Sequence, residues 1–454
     1  MDWLAANPND PVTFYILAAT LAAFDPPDPH SFSSKARKNL AIDKGTIAYM
    51  KRQLSPSANW KEPGLKATVL LKWTLFMTET RHRDLTLEIQ PGFKTEELES
   101  QIWNAVQGDA FTYLAAALIQ FRKRTHTSPI SLFAQFVQLV SEQQEQQQRE
   151  PLADEFKLPV LKMCDVLVRS LLTYASSELC KIKQRQEDVL ASVRTDRSRM
   201  FRSAAPVSAE NKGQPSPRND IAMLYSLIGI LYMSLPPEHA LQFWGATPPG
   251  ESSHLEITEM TTGKLPSFLQ WAVWSTQVCD VNMTMALYDM LSGLTKGQQC
   301  NELAYNFLAR GGGEVVPGSS LPTSTGSYNA GPLISWSTIF ALLESWASPA
   351  PSARANQPPQ QSLTASFGGF GSVAASQPPT QQQPQHIAIG PKDVLLAQSS
   401  LHLLSTVATS SVAVRLAISS NTQFCAIPTL VSLVPLGIPL ELKGAIFDAL
   451  ATFC

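Results

Sequence analysis

The sequence predicts an all-α protein in which helices of roughly ten to twenty-five residues follow one another and stack into a superhelix. Three observations carry that expectation. Apolar residues recur at three- and four-residue steps in segment after segment, and no stretch reads as a succession of strands. The 454 residues exceed the roughly 250–300 at which one hydrophobic core stops growing, so several domains or an elongated stack is required. Hydrophobic residues make up 44% and charged residues 16%, the latter below the roughly 25% of an average domain, which leaves the outer faces to Ser, Thr, Gln and Pro.

The elements follow in order. Residues 12–24 form an apolar helix, stopped by Asp25-Pro26-Pro27-Asp28-Pro29, because proline lacks a donor and restricts the residue before it. Asp43 caps a helix through Leu54. Pro63 opens the next, where its missing N–H costs nothing, and Leu65, Val69, Trp73 and Phe76 mark its apolar stripe. Thr95 with Glu96 and Glu97 begins a helix through Val106, and Asp109 caps another through Phe121. Helical pattern returns over 130–140 and runs into a Gln-rich polar extension. A longer helical region covers 159–193, with Leu161, Val168, Leu172 and Leu179 on its buried side.

Residues 194–218 mix basic residues with Ser, Gly and Pro and read as a flexible loop. Its Arg194, Arg197, Arg199 and Arg202 could touch a phosphate, a solvated linker being the plainer use. Further helices are expected over 220–234, 237–244, 266–279, 282–294 and 298–309, the last ended by Gly311-Gly312-Gly313, and Ser335 caps one through Trp346. Residues 348–390 form a disordered Pro/Gln/Ser-rich insertion, too poor in apolar groups to offset the entropy of ordering. From Pro391 closely spaced helices break near Ser410, Asn421 and Leu436. Helix pairs joined by short turns fit a HEAT- or armadillo-like unit, without a fixed sequence period. The expected division is therefore helical-repeat segments at 1–193, 219–347 and 391–454, separated by the loop and the insertion. The chain stops inside an apolar helical pattern at Phe453-Cys454, as expected of a fragment.

Composition and motifs exclude several functions. A net charge of −2 gives no global field for nucleic acid or an anionic membrane, so neither is expected as a direct partner. No stretch is long and apolar enough to span a bilayer, and Met1-Asp2-Trp3 lacks the basic start of a signal peptide. The six cysteines stand singly, without zinc spacing, and read as buried reduced thiols. The seven histidines are scattered, with His82, His126, His239 and His254 near basic residues or turns. The Gly311 triplet lacks the Lys-Ser/Thr of a phosphate cradle, and there is no G-x-S-x-G elbow. No catalytic centre, metal or cofactor is expected.

Aromatic residues are the candidates for partner contact: Phe243 and Trp244, then Phe268, Trp271 and Trp274, large apolar groups on helices whose grooves could take a partner's side chains. Core packing is the competing use of each. The dipeptides Phe367-Gly368 and Phe370-Gly371 resemble the cohesive repeats of pore barrier proteins.

Several separated motifs resemble one family. They are Trp60-Lys61-Glu62-Pro63-Gly64-Leu65-Lys66-Ala67-Thr68-Val69, then Leu241-Gln242-Phe243-Trp244, then Leu287-Tyr288-Asp289-Met290-Leu291-Ser292-Gly293-Leu294 with Gly297-Gln298-Gln299-Cys300. Ser335-Trp336, Leu442-Lys443 and Leu450-Ala451-Thr452-Phe453 follow in the same order. Together they are similar to the large adaptor nucleoporins of the nuclear pore inner ring. The resemblance implies a right-handed superhelical α-solenoid, a piece of the amino-terminal half of such a protein, located at the nuclear pore complex of the nuclear envelope. It implies a non-enzymatic scaffold that captures short linear segments of linker nucleoporins and meets other scaffold nucleoporins. A nuclear transport receptor of the helical-repeat type is the second expectation, although such receptors are usually strongly acidic.

Overall fold

A computed structural model of the chain describes residues 1–8, 12–24, 34–90, 92–120, 133, 154–200, 218–246, 263–276, 280–311, 334–347, 389–422 and 425–454. Among them every regular element is helical and none is a strand. In the amino-terminal half these are α1 (Asp2–Ala6), α2 (Thr13–Phe24), α3 (Ser34–Ile42), α4 (Lys44–Leu54), α5 (Pro63–Arg83), α6 (Thr95–Gln107), α7 (Ala110–Gln120), α8 (Asp154–Tyr174) and α9 (Ser176–Met200). There follow α10 (Asp220–Ser234), α11 (Lys264–Ser275), α12 (Val281–Leu294), α13 (Gln298–Ala309), α14 (Trp336–Ala347), α15 (Pro391–Thr409), α16 (Val412–Ser420), α17 (Ala426–Leu433) and α18 (Leu440–Ala451). Two 3-10 segments, Leu85–Ile89 and Pro237–Trp244, join them. Of the expected helix over 130–140 only Phe133 is described, and the rest of it, the Gln-rich extension, the Gly311 triplet beyond Gly311 and both Phe-Gly dipeptides lie outside the described residues.

Local chemistry sets the helix ends where the sequence placed them. Asp43 Oδ2 accepts from Thr46 N at 2.7 Å, Asp280 Oδ1 from Met283 N at 3.2 Å, and Ser335 Oγ from Thr338 N at 3.2 Å. Each satisfies one donor that a helix start leaves open. The single long region expected over 159–193 is two helices, begun earlier and bent at Ala175. Helix α9 continues to Met200, so the helix takes in residues expected in the loop. No Gly or Pro occurs before Pro206 to stop it. Asp109 precedes α7 as expected, but with a left-handed φ of 66°, and its carboxylate accepts from Arg218 at 2.6 Å.

A line of packed helices runs through the molecule: α5 packs on α7, α7 on α10, α10 on α12, α12 on α15, and α15 on α18. Residues 220–232 of α10 and 283–294 of α12 are buried on every side, as suits helices that are apolar on all faces but for Asp220, Ser226, Thr284, Asp289 and Ser292. In α5 the stripe residues Leu65, Val69, Trp73 and Phe76 are buried as expected, but so are Thr68, Thr74, Thr78 and Thr80. Those hydroxyls turn back to the carbonyls of Gly64, Leu70, Thr74 and Phe76 at 2.7–2.9 Å, so the helix is buried all round without unpaired threonines.

The α10–α12 crossing is backbone against backbone. A Cβ built on Gly229 would stand 2.6 Å from the Asp289 carbonyl oxygen, and one on Gly293 2.6 Å from Gly229 Cα. Neither obstacle is a side chain that could turn away. Gly229→Ala or Gly293→Ala should therefore cost about 3 kcal/mol or more in urea unfolding followed by circular dichroism. Gly444 in α18 has nothing within 4 Å of its would-be Cβ, and Gly444→Ala should stabilise by about 0.5–1 kcal/mol.

Candidate functional site

The five candidate aromatic residues fall into two environments. Phe243 and Trp244 end the second 3-10 segment, which Gly245 closes in the left-handed conformation at φ 77°. Both rings are buried. Phe243 meets Tyr232 edge-on with centroids 4.9 Å apart. Trp244 meets Phe307 at 5.6 Å, and its indole Nε1 donates to Leu294 O at 2.9 Å, the last residue of α12. These two side chains thus fill the core and satisfy a helix end, so they are not open to a partner. Phe268 is likewise buried, 6.2 Å from Tyr225.

Trp271 and Trp274 are different. They lie one turn apart on α11, and Trp271 is half-buried while Trp274 is 49% exposed. Lys183 of α9 stands 5.9 Å from the Trp271 ring centroid, a cation–π distance. Its buried Nζ also donates to Glu187 Oε1 at 2.8 Å and to the Ser275 carbonyl at the end of α11. The α9–α11 junction is thereby fixed, with an indole on its outer side. Helix α9 is anchored on its other flank by a matched pair of contacts one turn apart: Lys181 to Glu99 at 2.9 Å and Arg185 over the Trp103 ring at 4.4 Å.

Beneath this surface is a polar cluster that sequence reasoning missed. Asp165 of α8 is buried and accepts from Arg169 Nε at 2.8 Å, from the Tyr232 hydroxyl of α10, and shares a 2.8 Å contact with His239 Nδ1. Arg169 continues to the His239 carbonyl at 2.5 Å and to Gln242. Three elements are tied through one carboxylate. Burial would raise the Asp165 pKa, yet the Arg169 charge and the hydrogen bonds from His239, Tyr232 and Arg169 together hold it below the usual carboxylate value. Burial and the adjacent Asp165 carboxylate push the Tyr232 hydroxyl well up. His239, read from sequence as a turn residue, is a member of this cluster. The four-residue spacing of Asp165 and Arg169 was its one legible sign.

The cluster combines Asp, His and Tyr, but the Asp165 carboxylate and the Tyr232 hydroxyl are buried and bonded to each other, and His239 Nδ1 is held by Asp165. Among the described residues no set of His, Cys, Asp or Glu is grouped to hold a metal, and no helix is long and apolar enough to cross a membrane. Of the described cysteines, Cys164 and Cys300 are buried, and burial pushes their thiols up to about 12 and about 11. Cys180, Cys425 and Cys454 are exposed, unlike the buried thiols expected. His82 sits in the last turn of α5 rather than in a loop, 5.5 Å from the Tyr174 ring.

Because Asp165 is depressed in the folded state, its contribution is complete above the unfolded carboxylate value near 3.9 and is lost as pH falls through the lower folded value. Removing its cation leaves a buried charge alone, so Arg169→Ala should cost about 3–5 kcal/mol. Unfolding titrations at neutral pH and at about pH 3 should show wild-type stability falling with acid, and Asp165→Asn should flatten that fall.

Comparison with known proteins bears on what such a surface serves. Nucleoporin NUP192 of Chaetomium thermophilum is 23% identical over 441 residues, which cover 96% of this chain and 21% of that protein. The chain thus spans about a fifth of the length of the curated relative it matches. Residues 1–454 as a whole match the family described as the nuclear pore complex scaffold, nucleoporins 186/192/205. The helical chain, with its committed polar groups and its outward indole, belongs to that family of scaffold nucleoporins.

Proposed function

We propose that the chain works as structural scaffold in the inner ring of the nuclear pore, as a right-handed superhelical α-solenoid of HEAT- or armadillo-like helix pairs. In that role it holds short linear segments of linker nucleoporins, meets other scaffold nucleoporins, and so supports pore assembly and nucleocytoplasmic transport. The observation that carries the reading is the serial packing of α5, α7, α10, α12, α15 and α18, each on the next, which is how a quasi-one-dimensional stack is held together. The contacts of α7 with α10 and of α12 with α15 favour treating 1–193, 219–347 and 391–454 as one continuing stack interrupted by insertions.

The contact surface for a linear segment is placed on α11, with Trp274 as anchor and Trp271 beside it. Phe268 supports that face from below, while Phe243 and Trp244 hold the stack on which α11 rests. A flexible segment that orders on binding loses entropy, so a few aromatic anchors must supply most of its affinity.

Trp274→Ala in the 454-residue chain separates the roles. Calorimetric titration with linker-nucleoporin peptides should show affinity falling by about tenfold or more, equivalent to at least about 1.4 kcal/mol, with the melting temperature unchanged. Unchanged affinity with unchanged melting would remove α11 from the binding surface.

A further inference from the structure

A second surface is distinguished by charge. Residues 34–66 carry eight Lys and Arg against two acidic residues, Asp43 and Glu62, within a chain of net charge −2. The remainder of the chain is therefore acidic, and this stretch stands apart from it. It folds into α3, α4 and the turn entering α5.

Part of the charge is used internally. Lys38 pairs with Asp84, Lys51 with Glu97 at 2.9 Å, and Lys66 Nζ donates to the Ser55 and Ala58 carbonyls at 2.6 and 3.0 Å. Lys44, Arg52 and Lys61 are exposed and make no ion pair with the described residues. Lys44, Ala48, Lys51 and Arg52 follow at four-, three- and one-residue steps, all exposed, and so form one stripe along α4. At about 1.5 Å per residue the stripe is about 12 Å long, which matches three to four residues of extended chain at about 3.3 Å each.

Lys61 follows close by in the fold. The Trp60 indole donates to Gln53 O at 2.9 Å, Lys61 N donates to Ala5 O at 3.1 Å, and Gln53 Nε2 reaches Asp2 at 2.5 Å. Helix α1, the end of α4 and residues 60–61 are thus knit together, which brings the Lys61 backbone to the end of α4, with Asp2 bonded to Gln53 there.

We propose that this face docks an acidic, extended peptide segment of a partner protein. Lys44 and Arg52 stand unpaired at the two ends of the stripe, with Lys51 shared with Glu97 between them, and cations so spaced match carboxylates of an extended chain in both length and sign. Single-stranded nucleic acid would also want open rings for its bases. Here the Tyr49 ring lies under Arg52 at 5.5 Å and Trp60 is buried, leaving Trp3 at the margin. A membrane surface would want bulky apolar groups among the cations, where the stripe offers Ala48. The proposal uses none of the α11 residues and stands or falls apart from the function proposed for them.

The test is fluorescence anisotropy of a labelled oligo-glutamate peptide with the 454-residue chain, with a single-stranded oligo-uridylate and phosphatidylserine-containing vesicles in parallel. The peptide should bind at low salt and weaken as salt rises. Lys44→Glu with Lys61→Glu should reduce its affinity by about tenfold or more, whereas Lys162→Glu, an exposed lysine elsewhere, should leave it unchanged. Lys44→Gln with Lys61→Gln serves if charge reversal perturbs the circular dichroism spectrum, and should give a smaller loss in the same direction. Absence of peptide binding at low salt, equal loss on Lys162→Glu, or tighter binding of the oligo-uridylate or the vesicles would overturn the proposal.

Discussion

The fold depends on two helices touching through their backbones. Where α10 crosses α12, Gly229 lies against the Asp289 carbonyl and Gly293 against Gly229, so the helices approach more closely than side chains would allow. That closeness makes room for the layers outside: α7 packs on one partner and α15 on the other. The two helices also finish each other's ends. Trp244, just after α10, donates to Leu294 O at the end of α12. Lys296, just after α12, donates to Met233 O and Leu235 O at the end of α10, at 3.3 and 3.1 Å. Terminal carbonyls that burial would otherwise leave unpaired are thereby satisfied within the pair.

The same requirement recurs along the chain and explains where tryptophans are used. The Trp60 indole donates to Gln53 O in the last turn of α4, and that of Trp336 to Tyr305 O, just before the last turn of α13, at 3.1 Å. An indole brings a large apolar body and one donor, which suits a helix end covered by the next layer. Asp289 meets the complementary need, since its buried carboxylate accepts from the Phe133 backbone N at 2.9 Å. The contact brings a residue 156 positions away in sequence onto the central pair.

How much of this was legible in the sequence follows from the range of each interaction. The bounds of α10 and α13 agree with expectation because apolar periodicity is a local signal. Helices α1 and α3 went unread: one is too short to show a period, and the other, Ser34–Ile42, is mostly basic and polar. The 3-10 segment Leu85–Ile89 is likewise too short to show a period. At the candidate site the aromatic residues were legible by type but not by exposure. Trp244 and Trp274 look alike in sequence, and what separates them is a carbonyl fifty positions from Trp244, at Leu294. The Asp165 cluster was hidden in the same way, since Tyr232 and His239 are 67 and 74 residues from it.

A helical scaffold of this family must be stiff inside and selective outside, and its sparse charge is distributed to suit both. Inside, Asp165, Arg169, Tyr232 and His239 spend their hydrogen-bonding capacity on one another. Such a cluster adds geometric specificity to a core that apolar packing alone would fill less uniquely. Outside, low charge means that no strong field steers partners over the whole surface, so recognition falls to local groups. The exposed indole on α11 and the short cationic stripe on α4 are the groups we propose for it, and each is mounted on a helix whose position is fixed by contacts on its buried side. Rigid mounting matters because it leaves the entropy of ordering to be met by the incoming segment alone, and a preformed surface adds no cost of its own.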